Sequence, residues 1–546
     1  MLEGRSIPME RSSDGFFKVV VRDAVPGQRY QIALDGDGPF PDPWSRWQPE
    51  GVHGPSALLA LTARPGHRRV PKRWAQATYE LHVGTFSSSG DYAGATRGLD
   101  ALVELGVDTI QLMPVSEFPG RWNWGYDGTY FHAPTRAYGS PGELAEFVTA
   151  AHARGLAVIL DAVFNHLGPD GAYIYRFAPE FFTDRFKTPW GGAIDYARPE
   201  VRRTVADAAR WWIDAYGFDG LRLDATHAIY DRSETHILAD IAVAARRAYT
   251  PAYVVAEDHR NEARLVTEDC LDSILADDFH HALRVAVSGE QDGYFKHYRG
   301  TAEEISKALS DGWIHQGDRK GRMGPGSRTD GLDADRFVFC IENHDQVGNR
   351  VDGLHLAGLI SPAAYRAASA LLLLAPERVM LFQGQEWATV RNFNYFTDHS
   401  EELGRLVTEG RRNEFDHFRA FREHPELIPD PQAEGTFRAS VLDRAEATRN
   451  AWCLRLYTEL FRLRRRDPVL RLPDRHSMSI STRGSLLFVE RRQRGRRRLL
   501  VATLTGEAGA EIPAGRVLFH TEERRFGGSG RVNLEAPAAV LLEPAS

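Results

Sequence analysis

The chain has 546 residues, more than one hydrophobic core usually serves, so its length predicts about two to four domains. Hydrophobic residues make up 42% and charged residues 26%, a globular balance that excludes fibrous and intrinsically disordered classes. The formal net charge of −7, from 67 basic and 74 acidic side chains, provides no global basic field for nucleic acid or an anionic membrane. Cys270, Cys340 and Cys453 are widely spaced and form no CxxC pair, so neither a disulfide framework nor a cysteine zinc site is expected. The stretch MLEGRSIPMERSSDGFF lacks the apolar core of a signal peptide, and the longest apolar run, ASALLLLAP, is too short for a bilayer and stops at Pro376. A soluble protein of the reducing cytoplasm is expected.

In chain order, strands and helices alternate. ATYELHVGTF reads as a strand, Ala95 to Gly106 has helical spacing through Leu99, Leu102, Val103 and Leu105, and VDTIQLMPV reads as a second strand. GELAEFVTAAHARG is helical, LAVILDAVFNH a strand, residues 199 to 216 helical, and FDGLRLDATH a strand. A helix from Glu234 to Tyr249 follows, then the strands YVVAED, SILADD and FVFCIENHD, a helix from Pro362 to Leu374, and the strand VMLFQGQEW. Eight apolar strands alternating with helices imply a parallel sheet closed into a (β/α)8 barrel, with an open doubly wound sheet as the alternative. Beyond about Leu470, SMSISTRGSLLFVERR, RRLLVATLTG, GRVLFHTE and AAVLLEP predict a small antiparallel β-sandwich that covers the barrel, the arginines of ERRQRGRRRLL forming a solvated turn. GDRKGRMGPGSRTDGLDAD, between the sixth and seventh strands, predicts a mobile loop and a candidate lid.

Polar residues end the apolar strands: Asp161, Asn165 and His166 after the third, Arg222 and Asp224 at the fourth, Glu257 and Asp258 at the fifth, His344 and Asp345 at the seventh. Helix capping explains an aspartate but not Arg222, Glu257 or His344, whereas a barrel gathers all these ends at one mouth. Side chains alternate along a strand, so Arg222 and Asp224 share a wall. Glycoside hydrolysis needs a charged nucleophile and a protonated acid. Arg222 would hold Asp224 ionised, while like charges and partial desolvation would keep Glu257 protonated.

DAVFNH, GLRLDA, VVAED and ENHD, in that order and at those strand ends, resemble the signature regions of the α-amylase family of retaining α-glucan enzymes. The resemblance implies Asp224 as nucleophile, Glu257 as acid/base and Asp345 as the carboxylate that distorts and stabilises the sugar. It also implies that Asn165, His166, Arg222, His344 and the neighbouring Gln346 surround that sugar, and that Tyr126 of WGYDG stacks on it with Asp127 adjacent. Within the family, YELHVGTF, AEDHRN, DDFHHALRV, ENHDQVGNR and LFQGQEW are similar to the trehalohydrolases, over about residues 35 to 470. That implies cleavage of the α-1,4 bond next to the terminal trehalose of malto-oligosyltrehalose, with a malto-oligosyltrehalose synthase as pathway partner and neither metal nor organic cofactor. The usual lysine and histidine three and four residues beyond the nucleophile are replaced by His227 and Ala228, so His227 becomes a candidate contact. The family's glycan-binding β-sandwich before the barrel is recognisable only in its later part, YQIALDGDGPFPDPWSRWQPEGVHGPSAL. The expected domains are therefore a reduced or truncated sandwich at 1–70, the barrel at 71–468 and the second sandwich at 469–546.

DDFHH, taken as strand, has neighbours facing opposite ways, which argues against a metal site. Asp278, His280 and His281 are instead expected to meet sugar hydroxyls, and Trp190 of TPWGG is a candidate platform for a glucose ring. Two other functional readings stay open: a glycogen-branching transglycosylase, which usually carries an AEE acid region, and a non-catalytic glycan-binding protein, which would lack at least one of the three carboxylates present here.

Overall fold

The computed structural model describes residues 1–13, 15–61, 66, 76–188, 190–317, 324, 326–414 and 428–545. Eight parallel strands close into a barrel: β1 (Ala77–Leu81), β2 (Thr109–Leu112), β3 (Ala157–Ala162), β4 (Gly220–Leu223), β5 (Tyr253–Glu257), β6 (Ser273–Leu275), β7 (Phe337–Phe339) and β8 (Arg378–Phe382). β8 pairs with β1, which excludes the open sheet. Helices that cover this barrel include α1 (Leu99–Leu105), α2 (Pro141–Ala153), α3 (Pro199–Tyr216), α4 (Ile237–Ala248), α5 (Asp277–Ser288), α6 (Ala302–Asp311), α7 (Pro362–Leu374) and α8 (Ala451–Arg466). Their starts carry the expected chemistry: Ser140 and Glu143 form a capping box on α2, and Ser361 caps α7 ahead of Pro362.

Period-two alternation sorts every barrel strand into an outer and an inner face. Outward residues such as Leu81, Ile110, Leu160, Leu221, Leu223, Val254 and Phe339 pack under the helices in the main core. Inward, Ala157, Ile159, Tyr253, Val255, Leu275, Val338, Cys340 and Met380 fill the lumen. Arg222 pairs in register with Asp161 on β3 and Val255 on β5, and Glu257 pairs with Leu275 on β6. The lumen is therefore apolar below and polar at the C-terminal ends of the strands.

Past the barrel, one antiparallel sheet of five strands runs from Met478 to Pro544: β9 (Met478–Arg483), β10 (Leu486–Gln493), β11 (Arg496–Thr503), β12 (Gly515–His520) and β13 (Ala538–Pro544), in the order β9-β10-β11-β13-β12. Leu487, Val489, Leu500, Ala502 and Leu541 on one face join the barrel core, so helices such as α7 supply this sheet's second layer. Leu486, Val501, Val540 and Leu542 on the other face are covered by Leu534, Val532 and Ala510. Buried Arg366 of α7 ties the two parts together, donating to the Thr521 carbonyl at 3.0 Å and pairing with Glu522. Before the barrel, the described residues form only short two-stranded pairs, such as Ile32–Leu34 with Asp37–Phe40. The expected boundary near residue 70 falls outside the described residues, as do 318–323 and 325 of the expected lid loop. No helix among the described residues is long and apolar enough to cross a membrane.

Gly220 opens β4 against β5. A Cβ at this position would lie 2.0 Å from the Tyr253 carbonyl oxygen, and its nearest neighbours are all Tyr253 backbone atoms, so no side-chain rotation relieves the clash. Gly220→Ala should therefore cost about 3 kcal/mol or more through overpacking. Thermal unfolding is expected to show a lowered midpoint, with activity reduced because Arg222 lies two residues away.

Candidate active site

The first half of the site is built on one buried cation. Arg222, only 1% exposed, donates through Nη1 to both oxygens of Asp161 at 2.7 and 2.8 Å and to Oδ1 of Asp224 at 2.6 Å. Its Nη2 lies 3.7 Å from Oε2 of Glu257. One guanidinium thus reaches carboxyl groups from β3, β4 and β5. Asp224 Oδ2 accepts from Asn165 Nδ2 at 2.8 Å, so both its oxygens are held. Burial opposes the charge on Asp224, but Arg222, His166 and the Asn165 hydrogen bond outweigh it and hold this carboxyl below the usual range.

Immediately after Asp224 the backbone turns sharply. Ala225 has φ +41°, a left-handed conformation that costs a non-glycine residue about 1–3 kcal/mol. The turn aims the Ala225 N–H at Oε2 of Glu257, 2.6 Å away. Burial above all, with the like charges of Asp224, Asp345 and Asp277, overcomes Arg222 and pushes Glu257 up to about 8. Two carboxyl groups on neighbouring strands therefore rest in opposite protonation states at neutral pH, the arrangement that divides nucleophile from acid.

The second half is a relay starting from β1. Glu80, buried in the lumen, accepts from the His344 N–H at 2.9 Å and lies 2.8 Å from its Nδ1. Burial works against a charge on His344, yet Glu80 and Asp345 raise it to about 9. The imidazolium then donates at both nitrogens: Nε2 to the Tyr126 hydroxyl at 2.7 Å, which in turn donates to Asp161 Oδ2 at 2.7 Å. Tyr126 also stacks on His344, with centroids 5.1 Å apart. Gly125 permits this placement, because its φ is +103° and a Cβ would lie 2.1 Å from the Pro114 carbonyl oxygen.

Around this network the other candidates divide. His166 Nε2 lies 2.9 Å from the Tyr126 carbonyl oxygen, and Trp190, 40% exposed, stacks on the His166 ring at 3.9 Å. Asp345 lies beside His344, 3.6 Å from its Nε2, and its Oδ1 accepts from Asn349 Nδ2 at 2.9 Å. The half-buried His227 packs on His259 at 3.8 Å. Gln346 Oε1 accepts from the Tyr294 hydroxyl at 2.8 Å, and Asp127 Oδ2 accepts from Asn123 Nδ2 at 2.6 Å.

The structure corrects the reading of DDFHH. The segment opens helix α5 at Asp277 and is not strand, so the alternation argument does not apply. Asp278 is buried, with Oδ1 taken by the Tyr298 hydroxyl at 2.5 Å and Oδ2 by Asn261 Nδ2 and the N–H groups of Ile314 and His315. His280 is wholly buried, and His281 is enclosed by Tyr294, Phe295 and Tyr298. None of the three offers a surface to a sugar. Glu80 and Asp277, which the sequence reading did not single out, act at the mouth instead, Glu80 on His344 and Asp277 on Glu257. Their signal in sequence was a charge at a lumen-facing position of an otherwise apolar strand, or just beyond its end.

The α-amylase catalytic-domain profile matches residues 70–184. A malto-oligosyltrehalose trehalohydrolase from Deinococcus radiodurans is 44% identical over 95% of this chain and 88% of its own length. The chain belongs to the malto-oligosyltrehalose trehalohydrolase family. A crystal structure of an alpha-amylase-type protein from Salmonella typhimurium superposes with a TM-score of 0.89 at 34% identity, covering 99% of this chain and 94% of that one. By contrast, the 1,4-alpha-glucan branching enzyme of Photobacterium profundum matches 43% of this chain at 30% identity and 37% of its own length. In this family member, hydrolysis should fall as pH rises through about 8, because Glu257, expected as the acid, loses its proton there. A profile of kcat/KM from pH 4 to 10 checks this; an alkaline limb near the ordinary carboxylate range would show that the pocket does not hold that proton.

Proposed function

We propose that this chain hydrolyses the α-1,4-glucosidic bond next to the terminal trehalose unit of malto-oligosyltrehalose, releasing trehalose and a malto-oligosaccharide with retention at the anomeric carbon. The observation that carries the chemistry is the pair of carboxyl groups bridged by Arg222, one ionised and one protonated. Family membership supports the choice of substrate.

Asp224 attacks the anomeric carbon of the glucose on the malto-oligosaccharide side as Glu257 gives its proton to the bridging oxygen, and trehalose departs. Glu257, now ionised, takes a proton from water, which attacks the glycosyl-enzyme and restores the free carboxylate of Asp224. Asn165 and Arg222 keep both Asp224 oxygens fixed during attack, and the charged His344 with Asp345 faces the same sugar. Tyr126 and Trp190 supply aromatic surface for glucose rings, whose C–H faces are apolar. A malto-oligosyltrehalose synthase would supply the substrate, in the cytoplasm.

Incubation with maltotriosyltrehalose should give trehalose and maltotriose, while maltopentaose and amylose are cut slowly. Branch points in amylose, or no cleavage at all, would overturn the reading. Asp224→Asn preserves the shape of the carboxyl group and should lower turnover by about 10⁴-fold or more with an unchanged circular dichroism spectrum.

A further inference from the structure

The geometry points to Arg411 as a positioning residue for the reaction: its guanidinium fixes the side-chain amide of Asn349 so that this amide holds the Asp345 carboxyl group at the barrel mouth. The inference rests on the function proposed above and adds a residue to its machinery.

Of the three carboxyl groups, Asp345 is the least enclosed. Its side chain is 41% exposed, against 12% for Asp224 and 16% for Glu257. Asp224 is held on both oxygens and Glu257 accepts a backbone N–H. The side chain of Asp345 has, among the described residues, one hydrogen bond: Oδ1 accepts from Asn349 Nδ2 at 2.9 Å. Residues four apart share a helix face, and the Asn349 backbone N–H also donates to the Asp345 carbonyl at 2.9 Å, closing the short helix His344–Gly348.

An amide can turn either end toward a carboxylate, and only its N–H end attracts. Arg411 sets the orientation. It stands in the helix Glu401–Glu414, and it donates through Nη1 to Asn349 Oδ1 at 2.9 Å and through Nη2 to the Gly348 carbonyl at 2.8 Å. A guanidinium has donors and no acceptor, so the amide oxygen must face Arg411 and the amide nitrogen is left for Asp345. The positive charge also polarises the amide and strengthens its donation to the carboxylate. Arg411 is itself held in place, because its guanidinium lies 4.7 Å from the centre of the Tyr395 ring. Tyr395 meets Trp124 edge to face at 5.2 Å, and Trp124 meets His344 in the same way at 5.6 Å. Gly348 makes room for this packing, since a Cβ there would lie 2.2 Å from the Trp124 ring.

The test is a double-mutant cycle on the full chain with maltotriosyltrehalose as substrate. Arg411→Met and Asn349→Ala should each lower kcat about tenfold, with KM within about threefold of wild type. The double variant should be no more than about threefold slower than Asn349→Ala, because Arg411 acts through that amide. Arg411→Lys keeps a charge and donors and should recover most of the turnover lost in Arg411→Met. A guanidinium that only capped the short helix through Gly348 would give losses that multiply, to about a hundredfold in the double variant. That result, normal turnover in folded Arg411→Met, a change confined to KM, or an Arg411→Lys as slow as Arg411→Met would overturn the inference. Arg411→Gln takes the place of Arg411→Met in the cycle if circular dichroism shows the latter unfolded. If the wild-type chain cuts amylose and not maltotriosyltrehalose, the substrate proposed above fails, and the same cycle run on amylose still decides the role of Arg411. A wild type that cuts neither removes both.

Discussion

A guanidinium with almost no access to water stands at the mouth of the barrel, and the rest of the site is arranged around its charge. Arg222 is surrounded by carboxyl groups of Asp161, Asp224 and Glu257. Such a group of buried charges contributes little net stability, because desolvation offsets the attraction, and removing one partner would cost about 3–5 kcal/mol. Its value is chemical. Arg222 shares one nitrogen between Asp161 and Asp224, which keeps Asp224 ionised and aimed, and reaches Glu257 only at longer range. The unequal distances help to separate the two protonation states.

The barrel makes this possible because its strands are in register. Residues two apart on a strand share the lumen, and pairing aligns them with lumen residues of the neighbours. Arg222 is level with Asp161 because β4 and β3 pair that way, and Glu257 lies above Val255 on the same inner face. The apolar layer of Ile159, Val255, Leu275 and Met380 keeps water from below, so charge at the mouth is poorly screened. Poor screening is why burial and the like charges around it lift Glu257 despite Arg222, and why Glu80 and Asp345 can keep a buried His344 charged.

Loops after the strands complete the pocket. The turn at Ala225 gives Glu257 a backbone hydrogen bond, and the WGYDG loop brings Tyr126 over to His344 and Asp161. The hairpin of Phe182–Thr188 and Gly191–Ile194 carries Trp190 to the outer face of His166. The WGYDG loop and this hairpin are long excursions that rest on rigid strand ends, the usual way for this fold to vary its substrate without moving its chemistry.

By itself the sequence determined the eight strands, the helices between them and the shared wall of Arg222 and Asp224. These follow from local periodicity, which is a property of adjacent residues; the helices at 199–216 and Pro362–Leu374 agree with it to the residue. The positions of Asp224 and Glu257 were legible for the same reason, since each ends an apolar strand. Tertiary structure alone decided the rest. DDFHH follows a strand of three residues, too short for its period to mark where α5 begins, so Asp278, His280 and His281 were assigned to sugar and Asp277 was passed over. Glu80 lies 264 residues from His344 in the chain, and only closure of β8 onto β1 completes the ring that brings them together. The charge state of each group depends on such distant neighbours and on burial, which no single stretch of chain contains.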